Sequence, residues 1–156
     1  MIIIFDLDHT VIDSSHRQLT KPDGSLDLEH WLENCTPEKI MADTLLPLAN
    51  VMRRYYNEGH TIVVCTARSG HCKVDKHFLA LNDLHYDHWL SRGDSQEGDA
   101  ALKTRLLTDW GKAQGLPDDW RRGAMMFDDN LAVIQKMFDD KLMCFNAIKY
   151  NRRLAA

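Results

Sequence analysis

The run Ile2-Ile3-Ile4-Phe5 restricts the fold more than any other stretch: it is short, branched and apolar at consecutive positions, so both faces of the strand it predicts must be covered. Such a strand belongs in the middle of a parallel sheet, and it stops at a charged residue, Asp6. A second run, Thr61-Ile62-Val63-Val64-Cys65, follows Gly59 and ends at Thr66, and the stretch 45–57 before it predicts an amphipathic helix closed by that glycine. Ala124-Met125-Met126-Phe127, ahead of Asp128-Asp129-Asn130, and Leu142-Met143-Cys144-Phe145 predict two more strands. Helical spacing recurs between them over 73–81, 100–114 and 131–138. This alternation predicts a doubly wound α/β architecture with a central parallel sheet and helices on both faces.

The length of 156 residues suits one domain with a sizeable core, expected to span 1–156. A hydrophobic fraction of 44% against 27% charged residues excludes a disordered or fibrous chain. The segment 14–43 carries Pro22, Asp23-Gly24 and Pro37 and no long periodic run, so it is expected to be an insertion forming a small cap or flap. The ending Lys149-Tyr150-Asn151-Arg152-Arg153 is too short for a basic tail and is expected to be a frayed, solvated end.

No apolar run approaches a membrane span and no signal-peptide pattern opens the chain, so a cytoplasmic protein is expected, with no membrane and no required protein partner. Cys35, Cys65, Cys72 and Cys144 form no C-x-x-C pair, which argues for free thiols over a disulfide framework or zinc ribbon. The net charge of −4 gives no global attraction to nucleic acid.

Ligands of a parallel α/β sheet sit beyond the carboxyl ends of its strands. Three strand ends here carry Asp6-Leu7-Asp8, Thr66-Ala67-Arg68 and Asp128-Asp129. Four carboxylates in one crevice repel one another unless a hard cation neutralises them, and oxygen ligands without a nearby His or Cys select magnesium over zinc. Asp6 and Asp8 stand two apart, so one can face the crevice while the turn re-aims the other. One carboxylate can then attack phosphorus while the other moves protons. Lys103, Thr66 and backbone N–H groups are candidates to meet the oxygens of a phosphoryl group in flight.

These residues resemble the motifs of the haloacid dehalogenase superfamily of phosphatases. The first motif, hhhhDxDxT, stands here as Ile2-Ile3-Ile4-Phe5-Asp6-Leu7-Asp8-His9-Thr10; Val63-Val64-Cys65-Thr66 is similar to the second, Lys103 to the third and Phe127-Asp128-Asp129 to the fourth. The chain further resembles the 3′-phosphatase domain of phage-type polynucleotide kinases through Arg17, Thr66-Ala67-Arg68-Ser69-Gly70, Arg92, Gly93-Asp94, Asp99 and Lys103. The resemblance implies a three-layer Rossmannoid fold and a Mg²⁺-dependent phosphatase working through an aspartyl-phosphate. It makes Asp6 the nucleophile and Asp8 the general acid/base, with Asp6, the Asp8 carbonyl and Asp128 on the metal and Asp129 supporting them. Thr66 and Lys103 would hold the phosphate and Asp99 would orient Lys103 or its neighbours, while Arg17, Arg68 and Arg92 would either meet substrate or brace the site. His9 stands where the superfamily most often has glycine, and no G-x-x-x-x-G-K-[ST] loop occurs, so no kinase activity is expected.

Each residue also has a structural use: Asp-x-Asp in a solvated turn, Asp128-Asp129-Asn130 at a helix start, Lys103 with Asp99 as an i,i+4 pair. No set of histidines completes a zinc spacing, and Trp31, Trp89, Trp110 and Trp120 suit core or cap packing, with Trp31 in the insertion the one most open to stacking on a base. The expected substrate is a nucleic-acid 3′-phosphate, the alternatives being a nucleoside monophosphate or a catalytically silent nucleotide- or protein-binding module.

Overall fold

A computed structural model describes residues 1–156. Its main sheet is parallel and five-stranded in the order β5-β4-β1-β6-β7, formed by β1 (Ile2–Phe5), β4 (Thr61–Thr66), β5 (His88–Ser91), β6 (Met125–Asp128) and β7 (Met143–Asn146). The chain first winds outward from β1 through β4 to β5, then returns to the other side of β1 for β6 and β7. The order therefore reverses beside β1, and the crevice opens at the ends of β1 and β6, which carry Asp6 and Asp128.

Period-two alternation divides β1 between two cores. Ile3 and Phe5 join a cluster with Leu48 and Met52 of α3 (Leu48–Asn57) and Phe78 and Leu79 of α4 (Lys73–Leu81). Ile4 faces the opposite layer, with Leu107 and Trp110 of α5 (Asp99–Ala113) and Val133 and Met137 of α6 (Leu131–Asp139). Helices thus cover both faces, as the unbroken apolar run required. Gly111 in α5 is a packing glycine, since a Cβ there would stand 2.6 Å from Trp120 Nε1.

A small antiparallel ribbon, β2 (Ile12–Asp13) with β3 (Thr44–Leu45), lies outside the main sheet, and the insertion runs between its strands. It contains a tight turn closed by Lys21 N–H to Ser25 O at 2.7 Å, with Gly24 at φ 87°. Two short helices follow: α1 (Leu28–Glu33), capped by the Asp27 side chain, and α2 (Pro37–Met41), capped by Thr36 with Pro37 at its start.

Three expectations are corrected. β5 is an additional strand, half-buried at the sheet edge, where period and apolarity gave no clear signal. The helix expected from 45 begins at Leu48, because Thr44 and Leu45 pair in the ribbon. The C-terminal end is not frayed: α7 (Ala147–Ala155) docks through buried Ala147 and Asn151, whose side chain accepts the Leu48 N–H at 2.8 Å and donates to Thr10 O at 2.9 Å. No helix is long and apolar enough to cross a membrane.

Candidate active site

Asp6 follows β1 directly, and its N–H donates to Phe127 O of β6 at 3.1 Å, which fixes the ends of the two central strands side by side. Thr10 Oγ1 donates to Asp6 Oδ2 at 3.3 Å from the turn beyond. Lys103, in the second turn of α5, enters the crevice from the side and is 2% exposed. Its Nζ donates to Asp6 Oδ1 at 2.8 Å and to Asp128 Oδ2 at 2.6 Å. Burial alone would favour loss of that proton, but the two facing carboxylates outweigh it and hold the ammonium well above the usual lysine range.

One ammonium does not balance the acids that meet here. Carboxylate oxygens of Asp6, Asp128 and Asp129 lie within 4.8 Å of one another. Burial first, then the charge of Asp6, pushes the carboxyls of Asp128 and Asp129 upward. An all-oxygen set of charged donors with excess negative charge fits Mg²⁺, which is bound by a few carboxylates together with water and phosphate oxygens.

Asp8 is held differently. Arg68 Nε donates to its Oδ2 at 2.9 Å and Nη2 to its Oδ1 at 2.6 Å, a two-pronged pair, and Ser14 Oγ donates to Oδ1 at 2.7 Å. Burial opposes the charge, yet Arg68 and Ser14 bring the Asp8 carboxyl down to about 2. The Asp8 side chain is thus engaged by Arg68 and Ser14 and is not among the carboxylates gathered around Asp6. Arg68 also donates to Asp75 Oδ1 at 2.8 Å and approaches Asp43 Oδ2 at 3.4 Å. Asp43 in turn accepts Arg17 Nε and Nη2, both at 2.9 Å, and pairs with His16 Nε2 at 2.8 Å.

The structure therefore separates the expected residues. Asp6, Lys103, Asp128 and Asp129 converge, and Asp8 borders the same cleft. Arg17 is 1% exposed and braces Asp43 from behind. Arg92 donates to the carbonyls of Ala67, Ser95 and Glu97 and to Asp99 Oδ1, tying down the loop 92–99. Asp99 thus pairs with Arg92 at 2.6 Å and not with Lys103, because Lys103 turns inward to the strand ends. Thr66 is fully buried and its Oγ1 accepts the Arg68 N–H at 3.1 Å, shaping the turn after β4. Gly70 completes that turn at φ 78°, where a Cβ would stand 2.3 Å from Ser91 Oγ.

Sequence reasoning missed Ser14, Asp43 and Asp75, since nothing in their local pattern marks Ser14 as a donor to Asp8 or the two aspartates as partners of Arg17 and Arg68. It singled out His9, whose φ of 61° accounts for a preference for glycine at that point. Its ring Nε2 pairs with Gln18 Oε1 of the insertion at 2.7 Å. Two of the histidines that complete no zinc spacing pair with single aspartates, His71 with Asp94 and His85 with Asp83.

Asp6, Asp8, Lys103, Asp128 and Asp129 line a cleft of about 1220 Å³ to which the insertion and the loop 92–99 also contribute residues. Among known folds, the chain is similar to a haloacid dehalogenase-like hydrolase from Streptococcus pneumoniae (TM-score 0.63, 13% identity, 97% of this chain and 90% of that one). It is likewise similar to a HAD-superfamily hydrolase from Geobacter sulfurreducens (TM-score 0.64, 12% identity, 98% and 95%). A chain of the Pnkp1/Rnl/Hen1 RNA repair complex matches with TM-score 0.62 at 20% identity over 92% of this chain and 41% of that one. At 20% identity this likeness shows the fold, which the two HAD hydrolases share to the same degree, and does not single out the expected polynucleotide-kinase subgroup. In sequence, the chain is 40% identical to the 5′-deoxynucleotidase of Escherichia phage T5 over 98 residues, 60% of this chain and 38% of that protein, so it spans well under half of that relative. The family model of the bacteriophage T5 5′-deoxynucleotidase matches residues 1–93, more than half of the chain, with Asp6, Asp8, Thr66 and Arg68 inside the match. With its HAD-like fold, the chain belongs to the bacteriophage T5 5′-deoxynucleotidase family.

Proposed function

We propose that the chain is a Mg²⁺-dependent phosphomonoesterase that hydrolyses nucleoside monophosphates through an aspartyl-phosphate on Asp6. The observation that carries this reading is the placement of Lys103 Nζ between Asp6 and Asp128 at the strand ends, beside Asp129. A buried ammonium and a cation site flanking one carboxylate suit a reaction whose main requirement is to balance charge on a phosphoryl group.

Asp6 would form the bond to phosphorus while the ester P–O bond breaks and the leaving oxygen takes a proton from Asp8. Water would then attack the aspartyl-phosphate, give its proton to Asp8 and restore Asp6. In the geometry described Asp8 is a carboxylate, the form needed for the second half. To serve the first half it must acquire a proton and loosen from Arg68. Asp6, the Asp8 carbonyl, Asp128 and Asp129 would hold Mg²⁺, which when bound offsets the phosphate charge. Lys103 keeps Asp6 aimed and meets phosphate oxygens, with Thr66 fixing the adjoining turn. Arg68, Arg17, Arg92 and Asp99 position these groups.

The mononucleotide reading takes precedence over the polynucleotide 3′-phosphate expected from the sequence. Family membership favours nucleotides, while the net charge of −4 gives no general attraction for a polyanion. Phosphate release should be measured from deoxynucleoside 5′-monophosphates and from a 3′-phosphorylated oligonucleotide, with Mg²⁺ and with chelator. Mononucleotide turnover that needs Mg²⁺ and falls on the order of 10³-fold or more in Asp6→Asn is expected. Faster release from the oligonucleotide would restore the polynucleotide reading, and undiminished turnover in Asp6→Asn would refute the mechanism.

A further inference from the structure

We infer that the face of α1 carrying Leu28, Trp31 and Leu32 is the wall that binds the nucleobase, with Trp31 as its stacking platform. The inference rests on the mononucleotide reading and adds the residues that would select for a base. Single exposed leucines are ordinary, but here Leu26, Leu28 and Leu32 are 43%, 59% and 64% exposed and all line the cleft whose floor holds Asp6. Together with Trp31 they make one apolar surface beside a highly charged floor, and a contiguous patch of this kind marks a contact site.

The platform is rigid before any ligand arrives. The Arg17 guanidinium lies 4.2 Å from the centroid of the Trp31 ring, and Arg17 is itself fixed by its two hydrogen bonds to buried Asp43. Cys35 Sγ also accepts from Arg17 Nη1 at 3.3 Å and donates to Trp31 O at 3.1 Å, which ties the end of α1 to the same arginine. An indole fixed by a guanidinium loses little freedom when a flat ring stacks on it.

The loop 92–99 adds polar chemistry to the same cleft. Arg92 stiffens the loop 92–99 through three carbonyls, and Ser95 and Gln96 line the cleft beside them. A cleft lined by both apolar and polar groups suits a flat heterocycle with hydrogen-bonding edges, and the phosphate of the same molecule reaches Asp6 at the floor. A bare sugar phosphate would leave the apolar wall in water.

The test compares kcat/KM on deoxynucleoside 5′-monophosphates with kcat/KM on 2-deoxyribose 5-phosphate, which has the same phosphoester and no base. Wild type is expected to favour the nucleotide. Trp31→Ala should reduce that preference about 10- to 100-fold, the range of one base–aromatic contact. Trp31→Phe should restore most of it. Because Trp31 touches the Arg17 brace, the double variant Leu28→Ser/Leu32→Ser provides the independent arm and should also narrow the preference. A preference unchanged in both variants, or equal falls on the two substrates, overturns the wall while leaving a nucleotidase. A wild type that turns over no nucleotide overturns the functional reading and the wall with it.

Discussion

Asp43 links two arginines behind the site without itself lining the cleft. It carries one negative charge between two buried guanidiniums, those of Arg17 and Arg68, and its side chain is fully buried. Removing one partner of a buried ion pair leaves the other charge desolvated, so Asp43→Asn is expected to cost about 3–5 kcal/mol in urea unfolding. Adding Arg17→Met should recover part of that loss, since one orphaned charge goes with it. A cost below about 1 kcal/mol in Asp43→Asn would show that the network carries little of the fold's stability. Activity should fall in the single variant through kcat more than KM, because Arg68 aims Asp8, the proposed proton carrier of the chemical steps.

At the level of elements, α7 ties the end of the chain to two parts of the fold that lie more than a hundred residues before it. Asn151 accepts the Leu48 N–H at the start of α3, where Pro47 provides no side-chain cap, and donates to Thr10 O in the turn after Asp6. Asn151→Ala leaves a buried donor and a buried acceptor unmet, so a loss of about 1–3 kcal/mol is expected by urea or thermal unfolding. Unchanged stability would mean that water replaces both bonds. This helix was illegible in the sequence because its buried face is two residues, Ala147 and Asn151, set among lysine and arginines. The strands β1, β4, β6 and β7 were legible because each is an apolar run, whereas β5 reads His88-Trp89-Leu90-Ser91 and is only half-buried. The site divides in the same way. Asp6, Asp8, Lys103, Asp128 and Asp129 stand out because strand ends and motif order announce them, but Asp43 and Asp75 acquire meaning only when folding brings Arg17 and Arg68 to them.

Across the whole molecule, the sheet converts sequence order into one charged crevice, and the apolar layers around it keep other ionisable groups neutral. Cys65, one residue before the end of β4, is fully buried against the α5–α6 layer, and burial pushes its thiol up to about 12 from an ordinary 9.0. Burial raises Cys144 of β7 as well. A thiol that resists ionisation when folded contributes its full stability below the unfolded value near 9 and loses it as the pH rises towards 12. Each thiol should therefore remove about 1.4 kcal/mol per pH unit within that window. Other groups titrate there too, so the informative quantity is the difference between wild type and Cys65→Ala. The variant begins less stable because of the cavity it creates, but between pH 8 and 10.5 wild type should lose about 2 kcal/mol more than Cys65→Ala in urea unfolding. Parallel pH profiles for the two proteins would mean that Cys65 ionises as readily folded as unfolded, and that the layer behind the crevice admits water.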